Sequence, residues 1–264
     1  MMQSETMVRN TPGVANDVIL RTVSLHKAFR GFVAVKDVSL EIKRGTVHAL
    51  IGPNGAGKTT FFNRVTKFLD PTGGQIFFND HDIATTRPAD VARLGMVRSF
   101  QISAVFPNLT VLDNVCVALQ RFRNDGFHFW RSHTTLKSLH ERALELIADV
   151  GLEDFADEMA IELSYGRRRA LEIATTLALD PELLLLDEPT SGMGREDISR
   201  TADLIRRVGK NRTIVMVEHN LSVVADLSDR ITVLARGEIL ADGSYEQVSK
   251  NPAVVEAYMG HGHD

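Results

Sequence analysis

The chain has 264 residues, of which 44% are hydrophobic and 24% charged, the composition of an ordinary globular protein. Its formal net charge of −4 argues against a general nucleic-acid-binding protein, because such proteins usually carry a basic excess. No stretch approaches the ~20 apolar residues that span a bilayer. Cys116 has no second cysteine to pair with and lies in an apolar stretch, so we expect a buried structural thiol. We therefore expect a cytosolic protein whose membrane association comes through a partner.

The N-terminal part of the chain predicts a disordered lead-in followed by a β-rich unit. Residues 1–17 are mainly polar and do not resemble a signal peptide. Residues 18–25 and 33–42 alternate apolar and polar side chains as strands do, and the turn-prone pair Arg30-Gly31 separates them. A further short strand is predicted over residues 75–78.

Residues 52–59 read Gly-Pro-Asn-Gly-Ala-Gly-Lys-Thr, which fits the phosphate-loop pattern G-x-x-x-x-G-K-S/T. The glycines let backbone N–H groups turn toward phosphate oxygens, where a β-carbon would block the approach. In this pattern Lys58 binds the β- and γ-phosphates and the Thr59 hydroxyl binds Mg²⁺. A buried strand is predicted over 46–51 and a helix over 59–68, which places the loop at a helix N-terminus. The sequence therefore predicts binding of a nucleoside triphosphate.

The middle of the chain, about residues 88–180, has a mostly helical pattern, with one apolar helix face over residues 139–150. Residues 121–138 interleave basic and aromatic side chains. Such a segment could serve a membrane surface or a partner helix, or its aromatic side chains could anchor an inserted loop to the core. Both interpretations stay open.

Polar residues follow two buried strands predicted in the C-terminal half. Residues 183–186 are four leucines that lead into Asp187 and Glu188. At the C-terminal edge of an α/β sheet, Asp187 is placed to hold Mg²⁺ and Glu188 to polarise the attacking water. His219 ends the second apolar run and either contacts the γ-phosphate or is structural. Gln101 either contacts Mg²⁺ and the water or is an ordinary surface residue.

Five segments in this order resemble the motifs of an ATP-binding-cassette (ABC) ATPase. They are the phosphate loop 52–60, Gln101, the signature segment 163–167, the acidic strand 183–188 and His219. The resemblance covers about residues 18–260. It implies a P-loop NTPase of the α/β class, with a RecA-like core, an antiparallel β subdomain and a helical subdomain over about 88–180. Strands and helices that alternate from residue 183, with a β-rich piece over 231–240, agree with a mostly parallel sheet. Residues 261–264 are expected to be a solvated tail rather than a metal site.

The resemblance also implies roles for single residues, with ATP and Mg²⁺ as cofactors. Glu188, His219 and Gln101 would be catalytic. The metal would be held by Thr59, Gln101 and Asp187. Phe29 would stack on adenine, with Phe32 as a nearby rival and a core phenylalanine as the alternative. The other expected ATP contacts are Gly52, Pro53, Asn54, Gly55, Ala56, Gly57, Lys58, Thr59 and Thr60.

In that family two cassettes sandwich two ATP molecules, so the signature of one chain acts on the ATP of the other. The signature residues here are Ser164, Tyr165, Gly166 and Arg167. Ser164 is expected to cap a helix over 168–179, whose N-terminal N–H groups would face a γ-phosphate. Arg167 replaces the usual glutamine, and its cation could pair with phosphate or ribose oxygens. Gly194 replaces a usual Asp or Asn, so communication between the two ATP sites would differ from the norm.

Residues 97–115 and 251–260 are similar to the importer ATPases for branched-chain amino acids, in which the C-terminal passage is a short closing helix. Tyr165 and the insertion 121–138 also resemble that subfamily. The resemblance implies an ATP-hydrolysing subunit of an importer for branched-chain amino acids or a related small polar solute. Its partners would be a second ABC ATPase subunit, identical or different, permease subunits and, indirectly, a periplasmic or extracellular solute-binding protein. The chain would lie at the cytoplasmic face of a bacterial-type inner membrane and bind no nucleic acid.

Two other functions remain as alternatives. One is a soluble ABC ATPase that acts in DNA repair or on ribosomes, against which stand the single cassette and the lack of zinc-type cysteine pairs or a basic tail. The other is a lipid or lipopolysaccharide exporter ATPase, which Tyr165 and the C-terminal passage disfavour. The apolar segment 102–110 is expected to receive a permease helix, with Phe106 and Leu109 as anchors, or else to fill the core.

Overall fold

The computed structural model describes residues 17–70, 72–99, 105–122 and 133–259. Its N-terminal sheet is antiparallel with the strand order β2-β1-β4-β5. These strands are β1 (Val18–Phe29), β2 (Phe32–Lys43), β4 (Gly73–Phe78) and β5 (His81–Asp82). Arg30 and Gly31 both have positive φ, which is the turn that a tight hairpin between β1 and β2 requires. The predicted antiparallel β unit is confirmed.

The central sheet has the order β10-β9-β3-β8-β7-β6. Its strands are β3 (Val47–Ile51), β6 (Met96–Ser99), β7 (Leu183–Asp187), β8 (Thr213–Val217), β9 (Arg230–Ala235) and β10 (Glu238–Gly243). All neighbours are parallel except β9 and β10. Every residue of β3, β7 and β8 is buried, as expected of strands covered on both faces. The predicted mostly parallel α/β sheet is confirmed.

Helices surround this sheet. They are α1 (Lys58–Val65), α2 (Pro88–Arg93), α3 (Val111–Phe122), α4 (His133–Asp149), α5 (Tyr165–Leu177), α6 (Arg195–Gly209), α7 (Leu221–Leu227), α8 (Tyr245–Ser249) and α9 (Pro252–Met259). A short 3-10 turn, Glu153–Phe155, joins α4 to the segment before α5. The short closing helix implied at the C-terminus is α9.

Two expected helix boundaries differ from the structure, and one region expected to be mostly helical contains a strand. The helix expected over 59–68 ends at Val65. The helix expected over 168–179 begins at Tyr165, because Ser164 caps it by accepting a hydrogen bond from the Arg167 N–H. The helical region expected over about 88–180 contains β6, which pairs with β7 in the central sheet. A strand of four residues is too short to interrupt a helical pattern in the sequence.

Alternate residues of the central strands feed two apolar cores. In β7, Leu184 and Leu186 pack among the helices, whereas Leu183 and Leu185 pack toward α1 and the antiparallel sheet. This alternation follows from the two-residue period of a strand. Cys116 is buried in the helical core, and burial raises the pKa of its thiol. The expectation of a buried structural thiol is confirmed.

His48 in β3 is a buried titratable side chain of the central sheet. Its pKa gives a prediction for how the stability of the protein depends on pH. It is 1% exposed, and its Nε2 lies 2.7 Å from Thr232 Oγ1. Burial lowers the pKa of His48 to about 4, with Asp242 acting in the opposite direction. The imidazole is therefore neutral in the folded protein at pH values where an unfolded chain would already bind a proton.

We expect the free energy of unfolding to fall as the pH drops from about 6.5 to about 4, because protons then bind the unfolded chain first. The loss due to His48 should reach about 3 kcal/mol. Urea unfolding across this range would measure it, in the wild type and in His48→Gln. The variant should lack this part of the pH dependence, whereas His81→Gln, at an exposed position in β5, should keep it. Parallel curves for wild type and His48→Gln would contradict the assignment.

Candidate nucleotide-binding site

The phosphate loop joins β3 to α1 and packs tightly against two other strands. Gly52 and Gly57 have φ of 146° and 100°, values that side chains rarely allow. A β-carbon at Gly52 would lie 2.0 Å from the Leu234 carbonyl oxygen, and one at Gly57 would lie 2.3 Å from that of Ala34. At these two positions the protein's own backbone excludes a side chain, in addition to the approach of phosphate that the sequence pattern indicates.

Lys58 begins α1 and is half-buried inside the loop. Its Nζ donates hydrogen bonds to the carbonyl oxygens of Gly52 at 2.6 Å and Pro53 at 3.0 Å. Burial lowers the pKa of Lys58, while the negative charges of Glu188 and Asp187 act in the opposite direction. The ammonium group therefore lies inside the loop, within electrostatic reach of the two carboxylates that the sequence assigns to phosphate chemistry.

The other loop residues differ in their exposure. Gly52 and Ala56 are buried, Asn54, Gly55 and Thr59 are exposed, and Pro53, Gly57 and Thr60 are half-buried. Thr59 and Thr60 belong to the first turn of α1. Backbone N–H groups of a first helical turn have no partner within the helix and attract anions. The loop thus offers N–H groups, a half-buried ammonium and hydroxyls to a phosphate chain.

Asp187 and Glu188 have different surroundings at the end of β7. Asp187 is 4% exposed, whereas Glu188 is half-buried. Glu188 has a φ of 45°, which is uncommon for a residue other than glycine, and its N–H donates to the Val217 carbonyl at 2.9 Å. Left-handed residues of this kind are concentrated at functional sites. The chain turns sharply directly after the strand, at the residue expected to align the attacking water.

Glu218 is a residue that the sequence analysis did not assign to the site. It is fully buried after β8, and its carboxylate accepts hydrogen bonds from the N–H groups of His219 and Asn220 and from the N–H and hydroxyl of Thr190. Glu218 thereby links two backbone segments, the one that contains His219 and the one that follows Glu188. His219 itself is exposed, and its contact with the γ-phosphate stays a prediction.

Arg98 is a second residue of the site that was not predicted from the sequence. Its Nη2 donates to Asp187 Oδ2 at 2.5 Å and its Nη1 donates to Asn63 Oδ1 at 2.5 Å. The signal in the sequence is a lone arginine within the apolar strand β6, since a buried charge requires a partner. The identity of that partner depends on the pairing of β6 with β7, which the sequence does not contain.

The signature helix α5 contacts the turn at residues 187–191, directly after β7, in the same chain. Tyr165 donates from its hydroxyl to the Ser191 carbonyl at 3.2 Å. Arg169 donates to Glu172 at 2.6 Å and to the Asp187 carbonyl at 3.2 Å. A cavity of about 270 Å³ lies between α5 and this turn. The signature helix is thus bonded directly to the strand that carries Asp187.

Two signature residues are packed against side chains of their own chain. Gly166 lies inside the first turn of α5, where a β-carbon would come within 2.6 Å of Asp197 Oδ1, so the residue is fixed by packing. The Arg167 guanidinium carbon lies 3.9 Å from the centroid of the Phe155 ring. In this structure the Arg167 cation stacks on an aromatic ring of its own chain, and its contact with phosphate or ribose stays a prediction.

Phe29 and Phe32 lie at the hairpin end of the antiparallel sheet, 42% and 65% exposed. The alternative of a core phenylalanine at Phe29 is therefore wrong. Lys27 Nζ lies 5.0 Å from the centroid of the Phe29 ring. Stacking of Phe29 on adenine stays a prediction. Gly194 precedes α6 as its N-cap residue. Gln101, residues 123–132 within the insertion and the tail 261–264 lie outside the described residues.

The central sheet brings the phosphate loop and the catalytic candidates to one edge. Leu50 in β3 and Asp187 in β7 both lie opposite Val217 in β8. These strands are parallel neighbours, so the segments after them leave the sheet at the same edge. Ligands of open α/β sheets bind at this edge. The structure therefore brings together the loop, Asp187, Glu188 and His219, as the sequence predicts.

Comparison with known proteins identifies the family. A family model described as ABC transporter matches residues 35–191, and one described as branched-chain amino acid ATP-binding cassette transporter matches residues 238–264. The chain is 37% identical over 249 residues to the high-affinity branched-chain amino acid transport ATP-binding protein LivG of Escherichia coli strain K12, which covers 92% of this chain and 98% of LivG.

Two solved structures show the same fold. The ADP conformation of MJ1267, an ATP-binding cassette of an ABC transporter, superimposes with a TM-score of 0.80 and 30% identity, over 92% of this chain and 99% of that one. A dimeric post-hydrolysis state of the cassette MJ0796, bound to ADP and phosphate, has a TM-score of 0.71 and 25% identity over 85% and 98%. The chain belongs to the ABC transporter family, as one of its ATP-binding proteins.

Proposed function

We propose that this chain hydrolyses ATP to drive an importer for branched-chain amino acids or a related small polar solute. The observation that carries the proposal is the 37% identity to LivG, which extends over nearly the full length of both chains. The match of residues 238–264 to the branched-chain amino acid cassette model supports it at the C-terminal end. Both disfavour a DNA-repair or ribosomal ATPase and a lipid or lipopolysaccharide exporter.

The proposed chemistry assigns a task to each group at the sheet edge. Lys58 and the N–H groups of the phosphate loop hold the phosphates, and Glu188 aligns the attacking water. His219 and Gln101 would contact the γ-phosphate and the metal. Phosphoryl transfer needs positioning and charge stabilisation more than covalent help, which suits this set of groups.

The residues present fit Mg²⁺ by their donor chemistry. Thr59 offers a hydroxyl and Asp187 a carboxylate, the hard oxygen donors that Mg²⁺ prefers. Among the described residues no group of three or more His, Cys, Asp and Glu is arranged to hold a metal. Mg²⁺ typically takes one or two protein ligands together with substrate phosphates. When bound, Mg²⁺ would neutralise phosphate charge.

A second cassette would complete the site. The side chains of Tyr165 and Arg167 contact Ser191 and Phe155 of their own chain, at a distance along the sequence from the phosphate loop. The N-terminus of α5 is capped by Ser164 and is free of acidic residues in its first turn, which suits an external anion. We infer that these signature residues act on ATP held by a partner cassette, either a second copy or a different ATPase.

This assembly gives a prediction. Glu188→Gln should slow hydrolysis, so ATP would remain bound between two cassettes and hold them together. With ATP and Mg²⁺ we expect a dimer by size-exclusion chromatography with light scattering, and with ADP a monomer. The same measurement after co-expression with the second ATPase of the same transport system would detect a heterodimer. Monomers alone under both conditions, with and without permease, would count against the sandwich.

The permease and the solute-binding protein are the remaining proposed partners. No helix in the described part of the chain is long and apolar enough to cross a membrane. We propose that the chain lies at the cytoplasmic face of the inner membrane, bound to permease subunits. Co-purification from membranes with the permease pair encoded beside this chain tests this. Stimulation of the ATPase activity of the complex by a leucine-loaded binding protein would identify the solute class. Isolation without any membrane protein would support a soluble ATPase instead.

A further inference from the structure

The guanidinium of Arg98 joins two side chains of the nucleotide site. It donates to Asp187 Oδ2 and to Asn63 Oδ1, each at 2.5 Å. The side chains of Arg98 and Asp187 are 8% and 5% exposed. Removing one partner of a buried ion pair leaves the other charge uncompensated, so each of these side chains depends on the other. Arg98 and Asp187 therefore form one buried unit.

The second contact of Arg98 leads to the other proposed Mg²⁺ donor. Asn63 lies four residues after Thr59 in α1, and residues with this spacing share one face of a helix. The Arg98 guanidinium carbon also lies 5.7 Å from the centroid of the Phe62 ring, on the same helix. Arg98 thus connects the end of β7 to the helix that carries Thr59.

We propose that Arg98 is a positioning residue for Mg²⁺, which holds the Asp187 carboxylate toward α1 and, as a cation, limits how tightly this site binds the metal. The inference rests on the proposed magnesium site at Asp187. A metal that binds Asp187, directly or through water, has to share the carboxylate with the guanidinium. Like charges in a buried site are little screened, so this sharing costs affinity.

The consequence is a preference for the metal together with its nucleotide. Arg98 pairs with Asp187, and the charge of Lys58 offsets that of Glu188, so the protein alone offers little net negative charge to Mg²⁺. The phosphates of ATP add negative charge. Their attraction for Mg²⁺ outweighs its repulsion by the Arg98 guanidinium. A site built in this way takes up Mg²⁺ with ATP and discriminates against the free ion.

Arg98→Gln tests the proposal, because glutamine can keep one hydrogen bond while it removes the charge. Binding of a fluorescent ATP analogue is measured as a function of MgCl2 concentration. We expect half-saturation at about tenfold less Mg²⁺ than in the wild type. MgCl2 without nucleotide should raise the thermal unfolding midpoint of the variant and leave that of the wild type nearly unchanged. Arg98→Lys retains the charge and should restore the wild-type Mg²⁺ requirement.

Arg64→Gln is the matched control for a buried arginine. Arg64 is fully buried on α1 and donates to the carbonyl oxygens of Leu69 and Gly73, both at 3.3 Å. Its replacement should lower the thermal midpoint without changing the Mg²⁺ requirement. Equal changes in Arg64→Gln and Arg98→Gln would mean general loosening of the site and would overturn the proposal.

Two further outcomes separate this inference from the proposed site beneath it. Asp187→Asn should weaken the Mg²⁺ dependence of nucleotide binding, and an unchanged dependence would overturn the magnesium site and the inference together. If Asp187→Asn behaves as expected but Arg98→Gln needs as much Mg²⁺ as the wild type, or more, then only the role of Arg98 fails. If Arg98→Gln is strongly destabilised without ligand, Mg²⁺ with ATP should raise its thermal unfolding midpoint more than that of the wild type. Equal rises would contradict the proposal.

Discussion

Replacing Glu188 with glutamine should lower ATP turnover by about a hundredfold or more, the scale of a lost general base, while ATP still binds. Glutamine has nearly the same shape as glutamate and can adopt the same backbone conformation, but it cannot accept the proton of the attacking water. Glu188 is half-buried directly after β7, and its charge acts on Lys58 inside the phosphate loop. The variant therefore removes a base from the centre of the site and leaves the loop intact.

Phosphate release and binding of a fluorescent ATP analogue would be measured on the same preparation. Glu182→Gln is the matched control, because Glu182 is an exposed carboxylate at the opposite end of β7, where it pairs with Arg44. It should keep wild-type turnover. Wild-type turnover in Glu188→Gln would refute the assignment of the base, and loss of ATP binding would show that Glu188 acts in holding the nucleotide.

Replacing Phe106 with aspartate should abolish transport and permease binding while the isolated chain binds ATP normally. The Phe106 side chain is 53% exposed, although its backbone is fixed by Asn114, which accepts from the Phe106 N–H at 2.7 Å and donates to its carbonyl at 3.0 Å. Met159 and Ile161 are 43% and 56% exposed. The Ile161 N–H bonds to the Pro107 carbonyl, which brings this segment beside Phe106.

Exposed apolar side chains on a fixed backbone are typical of a partner surface, and a charge there prevents burial against the partner. Leu109, the second expected anchor, is half-buried. Phe68→Asp is a matched control, since Phe68 is 54% exposed at the end of the segment after α1. Uptake and co-purification would be measured for both variants. Loss of folding in Phe106→Asp would favour a core role, and normal uptake would mean that the permease docks elsewhere.

The sequence predicts those parts of the site that depend on neighbours along the chain. The phosphate loop lies between a buried strand and a helix, as its glycines and lysine indicate, and Ser164 caps α5 through a residue three positions away. Asp187 ends a buried strand because four leucines precede it. Each of these features needs only local pattern, together with the rule that parallel strands end at one edge of a sheet.

The contacts that the sequence did not predict join distant segments. Arg98 contacts Asp187 only because β6 and β7 are adjacent in the sheet. Glu218 contacts Thr190 only because β7 and β8 are adjacent. A lone arginine or glutamate next to an apolar strand indicates a buried charge but does not identify its partner. The exposure of Phe29 likewise depends on how the hairpin end projects from the sheet, which alternation along β1 does not determine.

ATP-driven uptake of leucine by proteoliposomes tests the central claim most directly. The vesicles would contain this chain, its permease pair and any second ATPase, with the solute-binding protein outside and MgATP inside. We predict accumulation of labelled leucine that requires ATP and is lost when this chain carries Glu188→Gln. Uptake that proceeds equally well with Glu188→Gln would contradict the account. So would a complete complex that hydrolyses ATP without moving any branched-chain amino acid or related small polar solute.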